Sequence, residues 1–597
     1  MADSKDLLAR QILEDVLHPS VVKQWWTKNW AEAFPLSFDN FDIDAALPAV
    51  LYMFRRGFRR GAGQFAKTFG KTSNDGKRTY ASARSVAGKL ATRADVDGFD
   101  GSAGSSLLAD LLLAFSLQNK THVPGRDEPL IRAYPSHYLA SWIDLPTAVA
   151  SLRYVPEMLT ALLADQLKGN SLTSDVSRRT RFPITQDYEA NDLLRVFSVG
   201  MRVSDNTANL NESFDEACVI GVDQLLMVRI AHEIGEAPRR LTNNSRSSGD
   251  EIPNRYPIAT VAASHFREDL RIFLRAYGRT IPRQAFLPML ETGFCVGLSN
   301  VLLSTADMLY AWRTDGRLPE QREQQPATVF IDCSAGGELR RASEQSVDEL
   351  LRRLRALPSI LATLRILDHR AEYKVKSREL PPRMPQAAPR IDVLGDLLHG
   401  RLKESERVQE EIDEWTQQIA EQLQEADLHD DVVTLLRAHG MHAAERLGKA
   451  IAILMGEDGL FTDLLKAIDS AWGSKISHGL LKIRRVNSDK AITQRRTRNA
   501  RSIVFSDAFL DFAVHRHLFK AVGKQRPLSF VRFLEILRER YGFYVDQAPP
   551  GQNIRGELLQ RNRAVLETRL RDLGLLVGVN DAESMKFLRP RFAADVE

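Results

Sequence analysis

The stretch Gly70-Lys71-Thr72 ends like a phosphate-binding loop. In such a loop glycine N–H groups close around phosphate, the lysine reaches the outer phosphates and the hydroxyl holds Mg²⁺. The pattern needs a further glycine where Phe65 stands, and Gly63 comes two residues too early. The preceding "ALPAVLYMFRRGFRRG" has helical spacing rather than that of a buried strand, so no nucleotide is expected here. His232-Glu233 opens like a zinc-protease helix, but Glu236 occupies the place of the second histidine. His439 and His442 could share a helix face, yet no Cys or acid partner is fixed beside them, so no metal is expected. One set fits a metal-dependent nuclease: Asp332 at the end of a β-favouring run, then Glu372-Tyr373-Lys374 about forty residues on. An acid followed by Glu-x-Lys on a neighbouring strand holds Mg²⁺ and activates water. Asp332, Glu372 and Lys374 are the catalytic candidates on that reading, although the chain around Glu372 reads as helix. No Gly-x-Ser-x-Gly elbow, dinucleotide fingerprint or kinase set is present, and no cofactor is expected.

Charge is more informative than motif. Net charge is +4, while residues 54–89 carry +9 and residues 482–501 carry +7, leaving −12 on the remainder. Cations gathered at two places on an otherwise acidic chain are the footprint of a polyanionic partner. In the first block Arg55, Arg56, Arg59, Arg60, Lys67, Lys71, Lys77 and Arg78 alternate with Phe54, Phe58, Phe65, Phe69 and Tyr80. The aromatics are read as core, the cations as a surface for nucleic acid or acidic protein. In the second block Lys482, Arg484, Arg485, Lys490, Arg495, Arg496, Arg498 and Arg501 lie in a segment of sparse apolar content, expected to be exposed or mobile.

Cys218, Cys295 and Cys333 lie far apart, with no zinc spacing and no disulfide framework, which suits a reducing cytoplasm. The N-terminal "MADSKDLLARQILEDVL" lacks the basic-then-apolar order of a signal peptide. "LLADLLLAF" and "FCVGLSNVLLSTA" fall short of the ~20 residues of a membrane span and read as core helices, so no membrane partner is expected.

The elements that must position these residues are mainly α-helical. In "SFVRFLEILRERYG" Phe530, Phe533, Leu534, Leu537 and Tyr541 recur at steps of three and four, with Ser529 as N-cap and Gly542 as stop. Val408, Ile412, Trp415, Ile419 and Leu423 mark a long amphipathic helix, read as docked on its own protein. "ATVFIDCSAGG", residues 327–337, is the clearest strand, with a helix expected from about Ser346. Four prolines between Pro381 and Pro389 mark a boundary. The expected plan is a multi-domain helical protein. An N-terminal basic helical region spans 1–130. A helical domain spans 131–375, with a small α/β insert near 320–375. A proline-rich linker follows at 376–390, long amphipathic helices at 391–480, and a basic segment with a C-terminal module at 481–597.

That module has three helices, near 507–521, 529–541 and 557–573, then two β-like runs, Leu575–Val579 and Met585–Leu588, around a turn at Asn580–Ser584. In order and spacing it resembles the winged-helix superfamily. The resemblance implies that the last helix enters the major groove and the hairpin touches backbone or minor groove. Arg561, Arg563, Arg569 and Arg571 would then face DNA, Lys586 and Arg589 would lie on the wing, and Leu566, Leu570 and Leu573 would face inward. In its size, its lack of a catalytic motif and its two cationic blocks, the chain is similar to accessory subunits of bacterial multi-gene anti-phage or restriction systems. That similarity implies a separate motor or nuclease subunit as partner. The leading expectation is a non-catalytic DNA-binding subunit or adaptor. The alternatives are a divergent Mg²⁺-dependent nuclease and a scaffold whose basic blocks dock on acidic proteins.

Overall fold

A computed structural model describes residues 4–18, 21, 33–61, 63–72, 79–119, 127–143, 154–163, 188–203, 212–239, 256–334, 336–376, 379–382, 387–487, 497–578 and 586–595. The described chain is mainly α-helical, with short strands of two to seven residues. The helices that organise it are α1 (Ser4–Val16), α2 (Ile43–Arg56), α3 (Val222–Ile234), α4 (Thr260–Tyr277), α5 (Arg283–Asp315), α6 (Gly337–Arg353), α7 (Leu357–Lys374), α8 (Ala388–Leu398), α9 (Ser405–Glu425), α10 (Ala443–Leu454), α11 (Glu457–Ala471), α12 (Asp507–His517), α13 (Phe530–Tyr541) and α14 (Gly556–Asp572).

The centre is α5. It carries apolar or small residues on every side, as a helix surrounded by others must. "FCVGLSNVLLSTA" is thus part of a 33-residue helix, longer than the sequence reading allowed and long and apolar enough to cross a membrane. Its most apolar window is 83% buried within the protein, and α2, α4, α7, α8, α11 and α12 supply that cover. Gly297 is where α4 approaches α5 most closely: a Cβ there would meet the Phe266 ring at 2.0 Å. Gly297→Ala is therefore expected to cost about 1–3 kcal/mol by overpacking, read as a lower urea midpoint with an unchanged slope.

The proline segment does not interrupt the core. Trp312 Nε1 on α5 donates to the Ile391 carbonyl on α8 at 2.8 Å, and Arg390 Nε on α8 donates to Asp368 on α7 at 2.5 Å. The N-terminal helix α1 packs on α9 and α10, and one cluster of buried apolar side chains runs from Ala9 to Leu588. Helix α9 buries Val408, Ile412, Ile419 and Leu423 against its own protein, as its periodicity implied.

The expected α/β insert takes a different form. Only Val329–Phe330 (β3) is strand, and it pairs in parallel with Phe543–Tyr544 (β7), two hundred residues away in the C-terminal module. Helix α6 starts at Gly337, earlier than Ser346, because Gly337 adopts a left-handed φ of +64° that turns the chain into the helix. Asn562 on α14 locks this junction. It is fully buried, accepts from Cys333 N at 2.9 Å, and donates to the carbonyls of Ile331 and Val545 at 2.8 and 3.0 Å.

A second lock is ionic. Asp269 on α4 accepts from Arg516 of α12 at 2.7 Å, from Arg540 of α13 and from the Tyr541 hydroxyl at 2.8 Å. His517 Nε2 lies 2.8 Å from the same hydroxyl, so three helices converge on one buried carboxylate.

Candidate nucleic-acid interface

The C-terminal module runs helix, a short hairpin (Phe519–Ala521 with Lys524–Gln525), strand, helix, strand, helix, strand, strand. After α12 come β6 (Leu528–Ser529), α13, β7, α14, β8 (Leu576–Val577) and β9 (Phe587–Leu588). Strands β6, β9 and β8 form one antiparallel sheet in that spatial order, with Leu528 opposite Leu588 and Leu576 opposite Leu588. Ser529 caps α13 by accepting from Arg532 N, and Gly542 ends it at φ +69°, as the sequence implied. In α14 one stripe, Asn562, Leu566 and Leu570, faces the core. The opposite stripe, Gln560, Arg561, Ala564, Thr568 and Arg571, is exposed.

The cations of this helix divide. Arg561 stands in solvent. Arg571 is exposed but paired with Glu567 one turn back. Arg563 lies over the Phe530 ring, 5.6 Å from its centroid. Arg569 turns inward: it donates to the carbonyls of Cys333 and Phe505 and pairs with Asp507. Lys586 is buried against Glu567 at 2.8 Å. Arg569 and Lys586, expected on a DNA surface, hold the module together instead, as donors to the carbonyls of Cys333 and Phe505 and to the part-buried Glu567. Arg589 is exposed and donates to the Gly574 carbonyl.

The described parts of the second cationic block are strand. Leu481–Asn487 (β4) and Thr497–Ile503 (β5) pair antiparallel over seven residues each. One face, with Ala500 and Ser502 buried, packs on α6. Arg484 grips Glu344 of α6 with both nitrogens, and Arg501 grips Asp469 of α11. These two pairs anchor the ribbon, and Lys482 and Arg485 are left exposed on it. Arg498 lies in β5 opposite Val486. Lys490, Arg495 and Arg496 lie outside the described residues. Glu344 was not legible as a partner, since it lies 140 residues from Arg484, and Asp469 sits in the helix before the ribbon, where no local pattern marks the pair.

A family model described as methylation-associated defense system protein MAD7 matches residues 181–592. The chain belongs to that family. No curated protein and no solved structure matches it. The MAD7 match takes in the ribbon, α14 and the three-stranded sheet, and it runs through the proline segment. A defence-system protein is what the sequence reading had expected in kind.

The first cationic block lies outside the MAD7 match, and four of its arginines, Arg55, Arg56, Arg59 and Arg60, hold groups of the interior. Arg55 has 0% exposure and its Nε donates to Glu212 at 3.0 Å and to the Tyr188 hydroxyl at 3.2 Å. Arg56 pairs with the same Glu212 at 3.3 Å, and Tyr138 donates to it at 2.9 Å. Burial, then the Glu212 charge, holds the Tyr138 hydroxyl well above its usual pKa, so it stays a donor. Arg60 donates to the carbonyls of Ser141 and Ile143, and Arg59 pairs with buried Glu157. Two buried glutamates require counter-cations, which corrects the reading of Arg55, Arg56, Arg59 and Arg60 as a partner surface. Phe54, Phe65 and Phe69 are core, as expected. Lys71 remains exposed, pairs with Asp127 at 3.2 Å, and sits in a short strand, Gly70–Thr72, of a hairpin with Thr79–Ala81. Lys77 and Arg78 lie outside the described residues.

Within the MAD7 match the nuclease candidates are also accounted for. Asp332 is fully buried and accepts from the N–H and hydroxyl of Ser334. Glu372 and Lys374 end helix α7, where residues two apart point to different sides; a Glu-x-Lys metal site needs a strand. Glu372 faces Arg390 at 3.5 Å, and Lys374 pairs with Glu411 at 2.5 Å. The three side chains are thus committed to separate partners. His439 and His442 lie in the turn before α10 rather than on one helix face. Among the described residues no group of three or more His, Cys, Asp or Glu gathers at metal-binding range.

Proposed function

We propose that this chain is a non-catalytic DNA-binding subunit of its defence system, engaging a duplex through α14 and the β4–β5 ribbon. One observation carries the reading: the spatial strand order β6-β9-β8, threaded with α12, α13 and α14, is the order of a winged helix. That arrangement turns the outer stripe of its third helix towards the major groove. Here that stripe offers Gln560, Arg561, Thr568 and Arg571, donors suited to base edges and phosphate. Lys482 and Arg485 extend the positive surface along the ribbon. With its candidate acids committed to internal partners, the chain leaves cutting or translocation to a separate subunit.

The test is fluorescence-anisotropy titration of labelled duplex and single-stranded DNA over a series of salt concentrations, with and without Mg²⁺. Duplex binding is expected to weaken linearly on a log–log salt scale, by about 0.9 per phosphate contact, with no strand cleavage. Absence of binding at low salt would sink the proposal and favour the protein scaffold.

A further inference from the structure

Far from these cations the protein carries a cleft of two joined chambers. The larger, about 1070 Å³, is walled by the first turns of two helices, Gly221 to Gln224 of α3 and Pro282 to Gln284 of α5. The smaller, about 420 Å³, shares Phe115, Asp223, Arg283 and Gln284 with it. A helix leaves its first N–H groups without intrahelical partners and presents the positive end of its dipole there. Two such ends meet in one cavity here; the Gln224 side chain takes the Gly221 N–H of α3 at 3.2 Å, and Pro282 offers α5 no side-chain cap.

The side chains around the larger chamber bear on what it could hold. Arg283 donates only to the carbonyls of Gly278 and Val196 among the described contacts, while its ring neighbours are Phe197 and Phe286. Burial lowers its pKa to about 10 against the pull of Asp223, as for a guanidinium short of counter-charge. Ser198, 5% exposed and in the wall of the same chamber, has a hydroxyl with no hydrogen-bond partner. Arg279 lines the chamber too, held by Glu189 at 2.8 Å. Asp223 is the carboxylate that would repel an anion; burial raises its pKa, against the backbone N–H groups of Gln224 and Asp223 on the first turn of α3 and the nearby Arg283 charge, which lower it.

At the far end of the smaller chamber Glu291 and His478 are 2.7 Å apart through one carboxylate oxygen, and Asp44 pairs with Arg132. Glu291 keeps a second oxygen for a donor. The smaller chamber is thus mixed in charge, with Asp44 and Glu291 beside Arg132, Lys475 and His478, while the two helix N-termini, Arg279 and Arg283 line the larger one.

We infer that the cleft binds a small phosphate-bearing molecule, its phosphate on the first turns of α3 and α5 beside Arg279 and its hydroxyl or amine donors towards Glu291. Phosphate suits donors that converge from several directions better than a planar carboxylate does. The site is independent of the DNA-binding reading.

Calorimetric titration of the full chain with inorganic phosphate and with AMP, at matched ionic strength, tests it. Val222 is 54% exposed at the first position of α3, so Val222→Asp adds a repelling carboxylate while suiting the helix end. Both probes are expected to bind saturably, AMP about tenfold tighter than phosphate, and Val222→Asp to weaken both about tenfold or more. Glu291→Gln is expected to weaken AMP and leave phosphate unchanged. Failure of both probes to bind, equal binding by Val222→Asp, or equal AMP affinity in Glu291→Gln would overturn the assignment. Loss of duplex binding in Val222→Asp would also overturn it, by making the cleft part of a DNA surface.

Discussion

Reversing Arg561, Lys482 and Arg485 to glutamate together is expected to lower duplex affinity at least about a hundredfold, and to flatten the log–log salt slope by about 2.7. These three cations are exposed and have no carboxylate partner among the described contacts, so their charge remains available to phosphate. The contrast lies with their neighbours. Arg484 and Arg501 are held bidentately by Glu344 and Asp469, and Arg569 is turned into the module. Substituting those should move stability first and affinity only through it. Lys71→Glu, on an exposed hairpin outside the MAD7 match, should leave the salt slope unchanged. An unaltered slope in the triple variant would remove the proposed surface.

Asp269→Asn is expected to destabilise the protein by about 3 kcal/mol, since it leaves buried Arg516 and part-buried Arg540 with only the half-exposed Glu268 as counter-charge. Burial alone would raise the Asp269 pKa, but Arg540 and then Arg516 outweigh it and bring it down to about 2. A depressed folded pKa gives stability that is fully present above the unfolded value of about 3.9 and is lost as pH falls through the folded one. The urea midpoint of the parent protein should therefore fall between about pH 4 and pH 2 by more than that of Asp269→Asn. Parallel pH profiles for the two would show that the network does not carry the acid sensitivity.

Much of this molecule was legible along the chain. Where apolar residues recur at steps of three and four, as in Phe530 to Tyr541 or Val408 to Leu423, the local pattern names the helix and its inward face, because burial demands it. Ser529 and Gly542 mark their ends for an equally local reason: one supplies a side-chain acceptor and the other tolerates a positive φ. The order of helices and β-like runs after residue 507 likewise survived as observed elements.

The charges were another matter. Composition placed Arg55, Arg56, Arg59 and Arg60 in one exposed-looking block, yet Glu212, Glu157 and the carbonyls of Ser141 and Ile143, which hold them, lie 81 or more residues away in sequence. The ribbon at 481–503 looked too polar to be ordered, because its stability comes from Glu344 and Asp469 on helices outside it. The strand at Val329 found its mate at Phe543, and Asp332 and Glu372 found separate ones. By itself the sequence determined the helices, their core faces, their caps and the two concentrations of positive charge, all properties of residues within a few positions of one another. Only the tertiary structure decided which cations meet a carboxylate and which meet water, because an ion pair depends on distance in space and leaves no periodic trace along the chain.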